Sequence, residues 1–501
     1  MKGIAAPALD ALVREALATG RIAGLPDTLL IDGRHVAAAS GETMETIDPG
    51  TGRAFAAFAA AGADDIDHAV RAARRAFDGR WRRTAPAERG RILQRAAALI
   101  RAHAPRLAVA ETLDVGKTLT ESRGDVASAA RAFEYYAGAC DKLHGDTLPQ
   151  DDAHVAWTIV EPAGVAAQIV PWNYPLSTAA RSIAPALAAG CTLVVKPAEQ
   201  TPLTALMLGD LLLEAGLPAG VCNVVPGLGA TAGAALAAHP GIDHLTFTGS
   251  VATGQRVMRA AADNVTRLLL ELGGKSPAIV CADADVDAAA ASIAAGIFEN
   301  AGQICSAASR VVVARAVHEQ LVVALAAHAI ALTLGHGLRD PGMGPLNSSA
   351  QRTRVAAAVE GALSRGVRAI AGGRIATVAG FDDGYFYAPT ILDDVPAGDA
   401  TVQQEIFGPV LAVQVFDGED EAVALANGTP YALCAGVFTR DFAAAHRFAR
   451  NVDAGQVYIN EWFAGGIEVP FGGNRRSGFG REKGLEALRS YSRIKGVAAR
   501  L

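Results

Sequence analysis

Apolar residues along this chain follow two rhythms. From Ile66 to Phe77 and from Ala85 to Ala104, Ala, Leu, Ile and Val recur at helical intervals against arginine-rich faces, and Arg106 to Val115 continues in that style. The first 140 residues therefore read as a helix-rich scaffold. Between Gly145 and Pro162 the rhythm changes, with Val155, Trp157, Ile159 and Val160 nearly alternating, the pattern of an edge strand or an arm. From Val165 onward short β-rich runs alternate with helical ones. Strands are expected at 165–170, 192–196, 221–225, 243–248 and 266–271, with helices at 178–189, 203–215, 230–238 and 251–263. That alternation implies crossover units and a parallel sheet, an architecture of the nucleotide-binding type.

In open sheets of this kind ligands sit at the carboxyl ends of the strands, so the residues that follow each strand carry the candidate chemistry. After the first come Pro171-Trp172-Asn173-Tyr174-Pro175, where two prolines fix the backbone and hold an amide that can donate to an oxyanion. After the second come Lys196-Pro197-Ala198-Glu199, a cation and a carboxylate able to hold ribose hydroxyls. After the fourth, Phe247-Thr248-Gly249-Ser250 opens a helix with Gly254 in its first turn, where free N–H groups and a hydroxyl suit a pyrophosphate. After the fifth stands Glu271, followed by Leu272-Gly273-Gly274-Lys275. Each has a plain structural alternative: a turn asparagine, a simple N-cap, a solvated carboxylate.

One further stretch, Glu299 to Ala307, sets Cys305 among small residues, with Gly302 and Gln303 before it and Ser306 and Ala307 after. Space around sulfur and a neighbouring backbone N–H are what a nucleophile that builds a tetrahedral oxyanion needs. A lone cysteine is otherwise a core filler.

Composition narrows the classes. A chain of 501 residues suggests two or three domains, and half of it is apolar with a fifth charged, as in ordinary globular proteins. The net charge of -6, without a long single-sign block, disfavours nucleic acid and anionic membranes as partners. Six cysteines lie far apart with no C-x-x-C pair and no metal-type spacing with histidine, which points to a reducing cytosol and to no metal site. Asp10 and Glu15 interrupt any secretory h-region, and the uncharged run Ala215 to Ala237 contains Pro218 and Pro226, so no membrane span is expected. Generic phosphate signatures fail too. The glycines from Gly227 to Gly233 have the wrong spacing for a dinucleotide fingerprint, and Gly274-Lys275-Ser276 lacks the earlier glycine of a P-loop.

Taken together, P-W-N-Y-P at 171–175, K-P-A-E at 196–199, F-T-G-S at 247–250, E-L-G-G-K at 271–275, G-Q-I-C at 302–305, E-I-F-G-P-V at 405–410 and P-F-G-G at 470–473 resemble the aldehyde dehydrogenase superfamily, in its order and over nearly the whole chain. The resemblance implies an α/β fold of three parts: a Rossmann-type cofactor domain (1–142 and 162–274), an α/β catalytic domain (275–465), and a small oligomerisation element (143–161 and 484–501). It implies NAD as cofactor, an aldehyde as substrate, and a homodimer or homotetramer. Cys305 would be the nucleophile, Asn173 with the Cys305 N–H the oxyanion hole, and Glu271 the base that activates water against a thioester. Gly249, Ser250 and Gly254 would meet the pyrophosphate and Lys196 and Glu199 the adenosine ribose, with Glu405 and Phe407 at the nicotinamide end and Trp172 lining the cofactor's path.

The substrate is the least legible feature. Arg181 falls at a position resembling the one where succinate semialdehyde dehydrogenases hold a distal carboxylate, while Tyr174, Trp462, Phe463 and Phe471 could wall an apolar or aromatic pocket. A CoA-acylating relative and a catalytically silent protein are the competing classes. Glu271 argues against the first, and the joint presence of Cys305, Glu271 and Asn173 against the second. Two local departures from the family pattern stand out: Asn474-Arg475-Arg476 follow P-F-G-G where a lysine is usual, and Glu482 is either a second proton acceptor or a surface carboxylate.

Overall fold

The computed structural model describes residues 9–501; residues 1–8 of the expected cofactor domain lie outside the described residues. Five strands, Val165–Ile169, Thr192–Lys196, Cys222–Val224, His244–Thr248 and Arg267–Glu271, pair in parallel. Each lies within two residues of the span its hydrophobic run predicts. Nearly every position of the inner strands is buried, as a sheet covered on both faces requires. Helices Pro86–Ala102, Ala104–Val115, Leu119–Ala137, Pro175–Ala189 and Leu203–Glu214 pack one face. Ala63–Asp78 and Val251–Ala262 pack the other.

Spatial order runs Cys222–Val224, Thr192–Lys196, Val165–Ile169, His244–Thr248, Arg267–Glu271, so the winding reverses between the strands that start at 165 and 244. The crevice at such a reversal is where doubly wound sheets bind ligands. The sheet is extended antiparallel by Leu29–Ile31 and Arg34–Val36 at one edge and by Gly478–Phe479 at the other.

The second sheet has seven strands, in the order Arg368–Ala371, Thr390–Asp393, Val410–Phe416, Arg310–Ala314, Pro277–Val280, Cys434–Phe438, Gln456–Ile459, parallel except for the first. A third, antiparallel sheet pairs His154–Pro162 with Ser492–Arg500 and Thr147–Leu148, so the alternating segment is a strand of a small separate sheet. The helix Gly484–Ser490, by contrast, packs Ala487 and Leu488 into the core of the first sheet.

The first 140 residues are helix-rich as expected, but they also hold strands: besides Leu29–Ile31 and Arg34–Val36, Thr43–Asp48 and Arg53–Ala59 form a hairpin. Its second strand is half alanine, which carries no β signal, so its pleat is set by pairing rather than by propensity. The helix expected at 230–238 is a wide turn, Gly229–Gly233, leading into a single turn, Ala234–Ala237. Two glycines in five residues weaken a regular helix there. Among the described residues no helix is long and apolar enough to cross a membrane.

Candidate active site

A cavity of about 1090 Å³ runs between the carboxyl ends of the first sheet and the edge of the second. Of the residues given a catalytic, cofactor or substrate role from sequence, all but Gly254 and Trp462 line it; Glu482 and Arg475 do not.

Cys305 reaches the cavity because the chain breaks sharply before it. The helix Val286–Phe298 stops at Glu299, and Asn300, Ala301 and Gly302 follow with φ of 48°, 52° and 71°, three left-handed residues in a row. A non-glycine residue held in that region costs about 1–3 kcal/mol, so the surroundings must enforce it. They do so through Asn300, whose N–H donates to Glu121 Oε1 at 2.7 Å and whose amide donates to the Asn173 carbonyl at 3.0 Å. Gln303 adds its amide to the Asn300 carbonyl at 2.9 Å and accepts from the Asn347 N–H at 2.8 Å. At Gly302 a Cβ would stand 2.2 Å from the Gly408 carbonyl oxygen, so only glycine fits between the two segments. Asn300 and Asn347 carry no sequence signal, and Gln303 stands in the sequence only as a neighbour of the thiol, since a buried amide's partners are visible only in three dimensions.

Asn173 leaves its strand buried, and its amide donates one N–H to the Gln303 carbonyl at 2.8 Å. An amide nitrogen carries two hydrogens, so a second remains for the cavity that Asn173 lines. Burial pushes the Cys305 thiol up to about 12, with Arg181 pulling the other way and Glu271 adding to the rise.

Glu271 ends its strand with 1% exposure and, among the described residues, no hydrogen-bond partner on either carboxylate oxygen. It is no solvated surface group. Burial first, and then the Glu482 charge, hold it well above the usual carboxylate range, against opposing pulls from Arg181, Arg481 and Lys483. Glu482 is likewise buried rather than a surface carboxylate: it pairs with Arg181 and accepts from Ser182 Oγ at 3.0 Å.

At the other end of the cavity Lys196 Nζ and Glu199 Oε2 lie 3.1 Å apart. Ser250 caps the helix Val251–Ala262 by accepting from the Thr253 N–H at 3.3 Å, leaving first-turn N–H groups without intrahelical acceptors beside the cavity. Gly254 sits one layer back, where a Cβ would meet Leu272 Cδ2 at 2.6 Å; it lets helix and strand approach rather than touching a ligand. Between the two ends, Phe407 stands edge-on to Trp172 with ring centroids 5.3 Å apart, and Glu405 accepts from the Gly274 N–H at 3.0 Å. Burial pushes Glu405 up to about 7. A carboxylate beside a lysine, an open helix N-terminus and an aromatic pair, spread along one elongated cavity, are a donor set that fits a dinucleotide.

The opposite wall is aromatic and cationic. Tyr174 donates to Glu299 Oε1 at 2.9 Å and its ring lies 3.6 Å from Lys117 Nζ. Phe471 lies against both Arg181 and Lys483, and Phe463 closes the side. Trp462 does not reach the cavity. It is 5% exposed, packs over Gly296 and Gly436, and donates its indole N–H to the Ser306 carbonyl at 3.0 Å, bracing the Cys305 segment from behind. Arg475 is also remote from the chemistry: it pairs with Asp453 at 2.6 Å on a two-residue strand against Tyr431–Ala432.

The chain matches the model of the aldehyde dehydrogenase family over residues 35–497. It is 44% identical over 477 residues, 94% of this chain and 88% of the relative, to aldehyde dehydrogenase family 2 member B4, mitochondrial, of Arabidopsis thaliana. Among solved structures it superposes with a TM-score of 0.94 and 39% identity, over 100% of both chains, on an indole-3-acetaldehyde dehydrogenase mutant of P. syringae in complex with NAD+ and IAA. A betaine aldehyde dehydrogenase of Staphylococcus aureus in complex with NAD+ matches at a TM-score of 0.93 and 37% identity over 95% of each chain.

Proposed function

The chain belongs to the aldehyde dehydrogenase family and is an NAD-dependent enzyme of it, and from that premise we propose that it oxidises an aldehyde to the free carboxylic acid through a covalent adduct on Cys305. One observation carries the reading: Cys305, Asn173 and Glu271 face one cavity whose far end holds the Lys196–Glu199 pair and an open helix N-terminus.

Lys196 and Glu199 would hold the adenosine ribose, the Ser250 turn the pyrophosphate, and Glu405 with Phe407 the nicotinamide end. Bound NAD+ supplies the two-electron acceptor that converts the adduct to a thioester. Sulfur of Cys305, its proton passed to solvent water, bonds the carbonyl carbon, and the C=O π pair moves to oxygen as an oxyanion. The free N–H of Asn173 and the Cys305 backbone N–H receive that charge without reorganising, because Asn173 is already fixed by Gln303 and Asn300. For release, Glu271 takes a proton from water as its oxygen bonds the acyl carbon; the C–S bond then breaks, the acid leaves and the thiolate returns. With both oxygens unengaged, Glu271 is free to accept that proton.

A second reading, an aldehyde with a distal carboxylate, is supported by Arg181 on the cavity wall, although Glu482 already occupies its guanidinium. The arm at 143–161 and the strand Ser492–Arg500 would be where copies of the chain meet, since Ile159 and Ile494 are exposed there. Six free cysteines favour a reducing, cytoplasmic setting. The decisive experiment is NAD reduction by an aliphatic aldehyde, followed at the absorbance of the reduced nicotinamide with and without CoA. Turnover without CoA and release of the free acid are expected; strict dependence on CoA overturns the hydrolytic reading.

A further inference from the structure

We propose that Lys483 selects the substrate, by holding an anionic group at the end of the aldehyde far from its carbonyl. The inference rests on the aldehyde-oxidising reading above and adds the class of aldehyde. Three cations act on the buried Glu271 carboxyl, Arg181, Arg481 and Lys483, of which Arg181 and Lys483 line the cavity. Two are already occupied. Arg181 is paired with the buried carboxylate of Glu482. Arg481 donates to the carbonyls of Gly473 and Gly480 at 2.9 and 2.7 Å and to Asn474 Oδ1 at 2.8 Å.

Lys483 has no such partner. Among the described residues its ammonium makes no ion pair within 4.0 Å and no hydrogen bond, yet it lines the same cavity as Cys305. It rests 5.3 Å from the centroid of the Phe471 ring, and the Arg181 guanidinium lies 5.2 Å from that centroid. A half-buried ammonium without a counter-ion is costly, and an arriving anion removes that cost.

The backbone spends strain on this placement. Lys483 has φ of 59°, a conformation in which a lysine is disfavoured. It is held there by a two-way pairing of Phe471 with Glu482, each N–H donating to the other's carbonyl at 2.7 Å, and by the Gly484 N–H donating to the Ile467 carbonyl at 2.7 Å. Lys483 and Phe471 are thus fixed to one another by the main chain. A planar ring offers a wall to the substrate's carbon chain, and the cation beside it offers a terminus to a carboxylate or sulfonate.

The test compares 4-oxobutanoate, 5-oxopentanoate and a sulfonate-bearing aldehyde with butanal and pentanal, in the wild-type enzyme, Lys483→Met and Lys483→Arg. Wild type should favour the anionic aldehydes through KM by about tenfold or more, Lys483→Met should erase that ratio, and Lys483→Arg should restore most of it. Calorimetric titration with succinate and glutarate gives a readout without turnover: both should bind wild type and lose about tenfold in affinity in Lys483→Met. An unchanged ratio overturns the proposal, as does an equal fall on every aldehyde, which would make Lys483 an activator of the thiol. Dicarboxylate binding that depends on Lys483 in a protein that oxidises no aldehyde would sustain this proposal and sink the aldehyde reading instead.

Discussion

Asn173 and Gln303 hold each other across 130 positions of the chain: the Asn173 amide donates to the Gln303 carbonyl at 2.8 Å, two residues before Cys305. The bond uses one of the two amide hydrogens and fixes the direction of the other. Asn173→Ala is expected to lower kcat about 100- to 1,000-fold, the usual cost of one oxyanion donor, with NAD affinity near wild type. Steady-state rates and a fluorescence titration of NAD check both halves. A loss of NAD binding of the same size would mean that Asn173 only supports the fold.

Cys305→Ala should remove aldehyde oxidation while NAD still binds. In the wild-type protein without cofactor, the thiol pushed up to about 12 should react slowly with iodoacetamide at neutral pH. Its thiolate fraction, and with it the alkylation rate, should climb about tenfold per pH unit from pH 7 to 9. A plateau near neutrality, by mass spectrometry of the Cys305 peptide, would show that Arg181 and Lys483 outweigh burial.

Glu271→Gln should leave a stoichiometric burst of reduced cofactor and slow the steady state, because in the proposed mechanism the base acts after the redox step. Its pH dependence has a definite sign. Burial holds Glu271 above the usual carboxylate range, so the competent carboxylate accumulates as pH rises and deacylation should quicken from neutral to alkaline pH. The favourable contribution of the neutral acid to stability is present in full below the unfolded-state value and is lost as pH rises through the raised one. Glu271→Gln should therefore melt higher than wild type at alkaline pH, with the difference closing in acid. Stopped-flow bursts and thermal melts at pH 5 and 9 measure the two effects.

Glu199, 3.1 Å from Lys196, should exclude a 2'-phosphate by like charge, so NAD should be preferred to NADP. Glu199→Gln should narrow that preference about tenfold in kcat/KM, mainly by improving NADP. Equal efficiency of the wild type with both cofactors would remove Glu199 from this role.

The five parallel strands and the residues at their exits were legible because burial on both faces writes continuous apolar runs, and each strand end carries its polar group in sequence order. The hairpin Thr43–Asp48/Arg53–Ala59 was not, because its alanines carry no periodic signal. In sequence Trp462 reads as a pocket wall because it stands beside Phe463; which way the ring turns depends on Gly296 and Gly436, both far away in sequence. Gly254 sat in the right turn but serves packing against Leu272. Glu482 and Lys483 are adjacent in the chain, yet one meets Arg181 and the other faces the cavity without an ion partner, a division set by the left-handed backbone at Lys483.

Gly478 pairs with Glu271 as the last strand of the first sheet, and Glu482 and Lys483 follow within five residues. The Glu271 carboxyl and the groups that surround it therefore come from segments about 200 positions apart in the order of synthesis. On the ribosome the cofactor sheet and the cysteine loop emerge well before the strand that closes the sheet's edge. A nascent chain would hold its thiol in a pocket that stays unfinished until residues 470–483 have emerged and docked.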